Sequence, residues 1–205
     1  ELGSIFSFMA RSLTASASSF FISAVRDLSV DVSTSSLIGF VSDLSASEPR
    51  FLAAWERLVR AWIGAVAVDA DPSDVIGRRI QNWIYAWDGF ASAAAFRGLS
   101  PGTGEILLGS LAAQVRHLRA HLSAERNHRT LELYALVIAG LAFPVLDPDG
   151  ELLRFAVAAL HENLLADVLP DGVHRERSTH YHMITLRTFL GLRENARRFG
   201  FTLPG

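Results

Sequence analysis

The sequence predicts an all-α protein built from antiparallel helix pairs. Three observations carry that expectation. Apolar residues recur at spacings of three and four, as in Leu52, Trp55, Leu58, Val59, Trp62 and Ile63, the period of a helix with one buried face. Short Pro- and Gly-bearing segments interrupt these stretches at Asp71-Pro72, Ser100-Pro101-Gly102, Phe143-Pro144 and Leu169-Pro170-Asp171-Gly172, where helices stop and chains turn. Strict apolar–polar alternation, the mark of a half-buried strand, is nearly absent. Helices joined by short turns stack as antiparallel pairs, and both an α-solenoid and an α/α toroid are built this way. No repeat motif such as the tetratricopeptide pattern selects between them.

Serine density divides the chain. Fourteen serines fall in residues 1–47 and six in the remainder. Residues 1–47 form a Ser-rich segment that still carries Phe6, Phe8, Phe20, Phe21, Leu37 and Phe40, too apolar for plain disorder. One helix is expected near 4–27 and a shorter one near 35–44. Residues 48–205 form the main helical domain. Ser47-Glu48-Pro49 starts a helix to about 68, since proline is tolerated in a first turn. Asp71-Pro72-Ser73 starts the next, with Ser73 or Asp71 as cap; Ile76, Ile80, Trp83, Ile84, Trp87 and Phe90 mark its buried stripe. Helices near 104–123, 127–142, 150–168 and 178–199 follow.

Composition narrows the functions. The formal net charge is -2, so no global field draws the chain to nucleic acid or to an acidic membrane surface. No apolar run reaches the roughly 18 residues of a spanning helix. Arg11 and interspersed serines break the layout of a signal peptide in residues 1–25. The chain has no cysteine, which excludes disulfides, thiolate metal sites and cysteine nucleophiles. Every one of its 19 basic residues is arginine, a side chain suited to planar carboxylate and sulfate groups.

All seven histidines lie at or after position 117, which places candidate chemistry in the second half. His174, Glu176, His180 and His182 gather imidazoles beside a carboxylate, a set zinc can use. Arg175 and Arg177 intrude among them, however, and no His-Glu-x-x-His helix motif is present; an organic acid–base site or solvated loop histidines fit better. His117 and His121 sit four apart on one helix face and read as a surface or interhelical pair. Asn127-His128 opens a helix. Asn127 there is either an ordinary N-cap or, with His128, an anion site at a helix N-terminus. Tyr181 stands between His180 and His182 with Arg177 one turn before it, and positive neighbours favour a phenolate able to move protons. Trp55, Trp62, Trp83 and Trp87 read mostly as core, with a sugar-stacking platform open for one near a helix end. No Gly-x-Ser-x-Gly elbow and no Gly-rich phosphate loop occur.

These residues resemble the helical N-terminal domain of the heparinase II/III-like polysaccharide lyases, which include related alginate lyases. The resemblance runs from about Phe51 to Phe199. It rests on Arg78-Arg79-Ile80-Gln81-Asn82-Trp83, on Asn127-His128 followed by a Leu/Ala-rich helix and Phe143-Pro144, and on Leu169-Pro170-Asp171-Gly172 with Glu176, Ser178, Tyr181 and His182. It implies an incomplete α/α toroid joined to a C-terminal β-sandwich that these 205 residues do not contain. The implied reaction is β-elimination on an acidic, uronate-bearing polysaccharide, without a cofactor or a catalytic metal. Asn127 and His128 would neutralise the substrate carboxylate, and Tyr181 would transfer the proton. Glu176 and His182 would orient the tyrosine or line the cleft, while Arg79 and Asn82 would contact sugar or hold the scaffold. Arg177 stands where the family pattern has a polar uncharged residue; it either selects a more anionic substrate or is a surface change. The resemblance favours a bacterial periplasmic or secreted setting. The competing expectation is a non-catalytic acidic-glycan-binding or helical scaffold module.

Overall fold

The first helix, α1 (Pro49–Ala65), starts at its proline. It buries Trp55 and Val59 but leaves Leu58 51% exposed, so its apolar stripe is narrower than the spacing suggested. The computed structural model describes residues 49–91 and 97–203; the helices expected at 4–27 and 35–44 lie outside them. The described residues form α1 and five further α-helices: α2 (Ser73–Ala91), α3 (Thr103–Ala120), α4 (Arg126–Ala142), α5 (Glu151–Asp167) and α6 (Thr179–Arg198). Among these residues the only β feature is an isolated antiparallel bridge between Val168 and His174. The class is all-α, as the periodicity predicts. No described helix is long and apolar enough to cross a membrane.

Contacts group the chain into two units. The first ends one stretch at Val66 and resumes over Asn82–Ser110. Its core holds Trp55 against Phe90, ring centroids 5.5 Å apart, and Trp62 edge-on to Trp83 at 5.3 Å. Trp55 and Trp83 are core residues, as their spacing implies, whereas Trp62 and Trp87 are half-buried. Each fully buried large side chain of this kind contributes about 1.5–3 kcal/mol. The turn before α3 is tied to this core by polar bonds. Ser100 N donates to Glu56 Oε1 (2.6 Å) and Arg60 Nη1 to Thr103 Oγ1 (2.8 Å).

The second unit joins Ala67–Gln81 to Leu111–Gly205. Its centre is α4, buried without interruption from Glu132 to Leu141, a helix apolar on nearly all sides. A 3-10 turn, Pro144–Leu146, reverses the chain. Asp147 then accepts hydrogen bonds from Leu152 N and Leu153 N, both 2.9 Å, satisfying donors that the first turn of α5 leaves open. Helices α4 and α5 run antiparallel: Gly140 faces Leu153 and Thr130 faces Asn163. A Cβ on Gly140 would come within 3.2 Å of Leu153 Cβ. Helix α6 runs in the same sense as α4, with Tyr134 against Gly191 and Asn195. The first two turns of α2 cross α4 at Gly77, where an added Cβ would lie 3.3 Å from Glu132 Cα.

The caps expected for α2 are used otherwise. Ser73 Oγ donates to the buried Glu132 (2.6 Å), and the Asp71 carboxylate pairs with Arg79. Glu132 also accepts from Ser123 N and Ser123 Oγ, both at 2.7 Å. A buried carboxylate with three donors is a satisfied group, and it ties the start of α2 and the α3–α4 turn to α4.

Candidate active site

At the start of α4 the N-cap is Glu125, in extended conformation, and Arg126 follows at φ +70°. Asn127 is therefore inside the first turn and not the cap, because the helix begins one residue earlier than its pattern suggests. Its side chain is free of capping and turns to another segment: Asn127 Nδ2 donates to Glu176 Oε1 at 3.3 Å. Asn127 is 8% exposed, and its Oδ1 is buried without a hydrogen-bond partner among the described residues. His128 points the other way. It is exposed, and its Nδ1 lies 3.3 Å from Asp74 Oδ2 in the first turn of α2.

Glu176 comes from the connection between α5 and α6. That connection folds back on itself: Arg175 N donates to Asp167 O (2.7 Å) and Leu169 N to Val173 O (2.9 Å). Between these bonds the Val168–His174 bridge turns His174 inward, to 1% exposure. A solvated loop histidine was one expectation for this position, and burial excludes it. His174 O accepts from Arg177 N (2.8 Å), and His174 Nδ1 accepts from Glu176 N (3.3 Å). Arg177, at φ +52°, closes the turn and is exposed.

Tyr181 sits three residues past Ser178, the N-cap of α6, and its backbone N–H reaches the Ser178 hydroxyl at 3.5 Å. The capping serine sets where the tyrosine leaves the helix. Its ring is 39% exposed and meets the edge of His180 at 5.8 Å. Its hydroxyl has no hydrogen-bond partner among the described residues. His182 is half-buried, its backbone N–H bonded to Ser178 O at 2.9 Å.

Beneath these residues lies a polar layer that sequence reasoning missed. Asn163 Nδ2 donates to Thr130 Oγ1 (2.8 Å) and Asp167 Oδ2 (3.1 Å). Asp167 is 3% exposed. Burial pushes its carboxyl above the usual range, opposed by the nearby His174, Arg175 and the Asn163 bond. A signal for this layer existed. Asn163 and Asp167 continue the buried stripe of Leu152, Ala156 and Leu160 on α5, so they are polar residues at core positions.

The remaining candidates are placed as follows. Arg79 pairs with Asp71 and donates from Nε to Gln114 Oε1 (2.7 Å). Burial lowers its pKa, and Asp71 opposes the shift. Asn82 lies half-buried in the first unit, and Asn127 in the second. His117 and His121 stack at 4.1 Å, with His121 Nδ1 donating to His117 O at 2.8 Å. Among the described residues no three His, Asp or Glu side chains converge as metal ligands.

The geometry thus joins Asn127 to Glu176 over His174, with Tyr181 exposed in the first turn of the helix that follows. Residues 72–203, well over half of the chain, match the family described as Heparinase II/III N-terminus. The heparin-sulfate lyase of Pedobacter heparinus is 25% identical over 123 residues, which is 60% of this chain and 18% of that protein. The chain therefore spans less than a fifth of the length of this relative. No solved structure matches it. The matched span holds Arg79, Asn82, Asn127, His128, Glu176, Arg177, Tyr181 and His182, and the chain belongs to the heparinase II/III N-terminal family.

Proposed function

We propose that this chain is the helical portion of a polysaccharide lyase that cleaves uronic-acid-containing glycans by β-elimination. The observation that carries the reading is the contact of Asn127 with Glu176, 49 residues apart, at the start of α4. One amide hydrogen of Asn127 is held by Glu176; the other is a fixed donor at a helix N-terminus, where negative charge is favoured. It receives the substrate carboxylate, while His128 stays turned away against Asp74. Withdrawing charge from that carboxylate stabilises the enolate-like transition state and acidifies the proton on C5. Tyr181, exposed and with its hydroxyl unengaged among the described residues, is suited to proton transfer. As phenolate it takes the C5 proton, and the C5–H electron pair forms the C4=C5 double bond. The C4–O4 bond breaks, and the leaving oxygen takes a proton from the phenol. The product carries a 4,5-unsaturated uronate at its new end.

The exposed Tyr181 hydroxyl also argues against the scaffold alternative, in which this residue is a buried packing tyrosine. The test is a panel of heparan, chondroitin, hyaluronan and alginate polymers, followed by the ultraviolet absorbance of the unsaturated product, with the longest natural protein containing this chain. Tyr181→Phe and Asn127→Ala should each lower turnover by roughly 10²-fold or more without changing the melting temperature. Silence of the parent on every polymer, or full activity in Tyr181→Phe, overturns the proposal.

A further inference from the structure

We propose that His174 is a positioning residue of this site: its buried imidazole holds the Glu176 amide on Nδ1 and thereby fixes the Glu176 carboxylate against the Asn127 amide. This deepens the lyase reading and rests on it only where turnover is the readout. Three observations support it. His174 holds the turn at two points: its carbonyl oxygen accepts from Arg177 N at 2.8 Å, and its ring accepts from Glu176 N at 3.3 Å. Glu176 is thus the middle of a turn whose closing groups both belong to His174. The backbone of the connection drives the ring inward through the bonds on either side of the Val168–His174 bridge. Finally, a ring accepting on Nδ1 carries its neutral-form proton on Nε2, and Nε2 is buried with no hydrogen-bond partner among the described residues, Asp167 being a charged neighbour only. An apolar side chain would fill the space without leaving a buried donor unsatisfied. Packing alone therefore does not explain an imidazole here, whereas an acceptor at the Nδ1 position does.

The required chemistry is narrow, and this makes the test sharp. An asparagine at 174 carries Oδ1 near the place of Nδ1 and bonds naturally to the amide two residues on. A glutamine offers the same amide one methylene further out. Hydrogen exchange of the Glu176 amide is to be measured by NMR in the full chain. Turnover and melting temperature are to be followed in parallel. The parent and His174→Asn should protect the Glu176 amide, and His174→Gln should exchange it at least about tenfold faster. In turnover, His174→Asn should stay within about threefold of the parent. His174→Gln should lose at least about tenfold in kcat with KM little changed, because Asn127 acts chiefly in the transition state. On a Glu176→Ala background the same His174→Gln change should cost nothing further, since residues acting through one another are not additive.

Equal exchange in all three proteins overturns the proposal. So does loss of protection in His174→Asn at the parent's melting temperature, or a His174→Gln loss that persists without Glu176. A parent inactive on every uronate polymer, with the exchange pattern intact, sinks the lyase reading and leaves the positioning role standing. If His174→Gln fails to fold, the Asn variant still decides, because His174→Asn must retain both protection and turnover.

Discussion

Arg126 and Arg177 have φ of 70° and 52°, and no other described residue besides glycine has a positive φ. Each adjoins one partner of the Asn127–Glu176 contact. A left-handed conformation costs an L-residue about 1–2 kcal/mol, and such strain persists where surrounding structure enforces it, often at functional sites. Arg177→Gly removes the steric penalty but adds unfolded-state entropy of about 0.5–1 kcal/mol, so stability should hold or rise slightly. Arg177→Val places a β-branched residue in the same backbone and should be less stable than Gly by about 1–2 kcal/mol. Denaturant unfolding of the two variants checks the order, and equal stability would mean the turn is not enforced. Asp167 offers a pH test. Its carboxyl is raised chiefly by burial, so the folded state binds a proton more readily than the unfolded chain. Its contribution is most favourable below the unfolded value of about 3.9 and is lost as pH rises through the higher folded value. Asp167→Asn keeps an acceptor for Asn163 and removes the buried charge. The variant should gain on the parent as pH rises from 4 to 7 and be the more stable at neutral pH. A stability series over that range that shows the parent ahead at pH 7 refutes this account.

At the scale of elements, Gly191 is where α6 meets α4. A Cβ there would collide with the Tyr134 hydroxyl, which accepts a hydrogen bond from Asn195 at 3.2 Å. Ala is normally better than Gly in a helix by about 1 kcal/mol, yet Gly191→Ala should destabilise by about 1–3 kcal/mol because a buried, bonded tyrosine must move. In a Tyr134→Phe background most of that loss should disappear; a double-mutant cycle by denaturation measures the coupling, and simple additivity would remove the close contact as its cause. The same elements show how far the sequence could be read. For the described residues, helix type and number are legible from Pro72, Pro101, Pro144 and Pro170 and from the apolar spacing, because both signals are local. Leu58 was misassigned because spacing gives a face but not its width. Asn127, Glu176 and Tyr181 were legible as residue types in a family pattern. The inward turn of His174 was not, since it depends on a bridge back to Val168 that no local preference encodes. Asp167 and Asn163 fell between these cases: their register with Leu152, Ala156 and Leu160 was visible, but only the contact with Thr130 gives it meaning.

For the whole molecule, charge location matters more than charge total. The chain carries -2 overall, which by itself repels a polyanion. Residues 126–129 and 174–182 nevertheless hold four arginines, Arg126, Arg129, Arg175 and Arg177, against Glu176 within them and Glu125 and Asp74 beside them, Glu125 paired with Arg126 and Asp74 with His128. A local positive field of this kind raises the concentration of an acidic polymer beside the Asn127–Glu176 contact, and salt weakens it. Raising ionic strength from 0.1 to 1 M shortens the screening length from about 10 to about 3 Å, so affinity for a polyuronate should fall by about tenfold or more, while a neutral oligosaccharide is unaffected. Location is separated from total by two variants of equal net charge. Arg175→Gln with Arg177→Gln should weaken binding at low salt and flatten the salt dependence. Arg57→Gln with Arg97→Gln, both exposed and in the other unit, should leave the affinity within about twofold of the parent. Calorimetric titration at the two salt concentrations gives all of these values. If the two double variants lose affinity equally, bulk charge and not the arginines around α4 and the α5–α6 connection attracts the polymer.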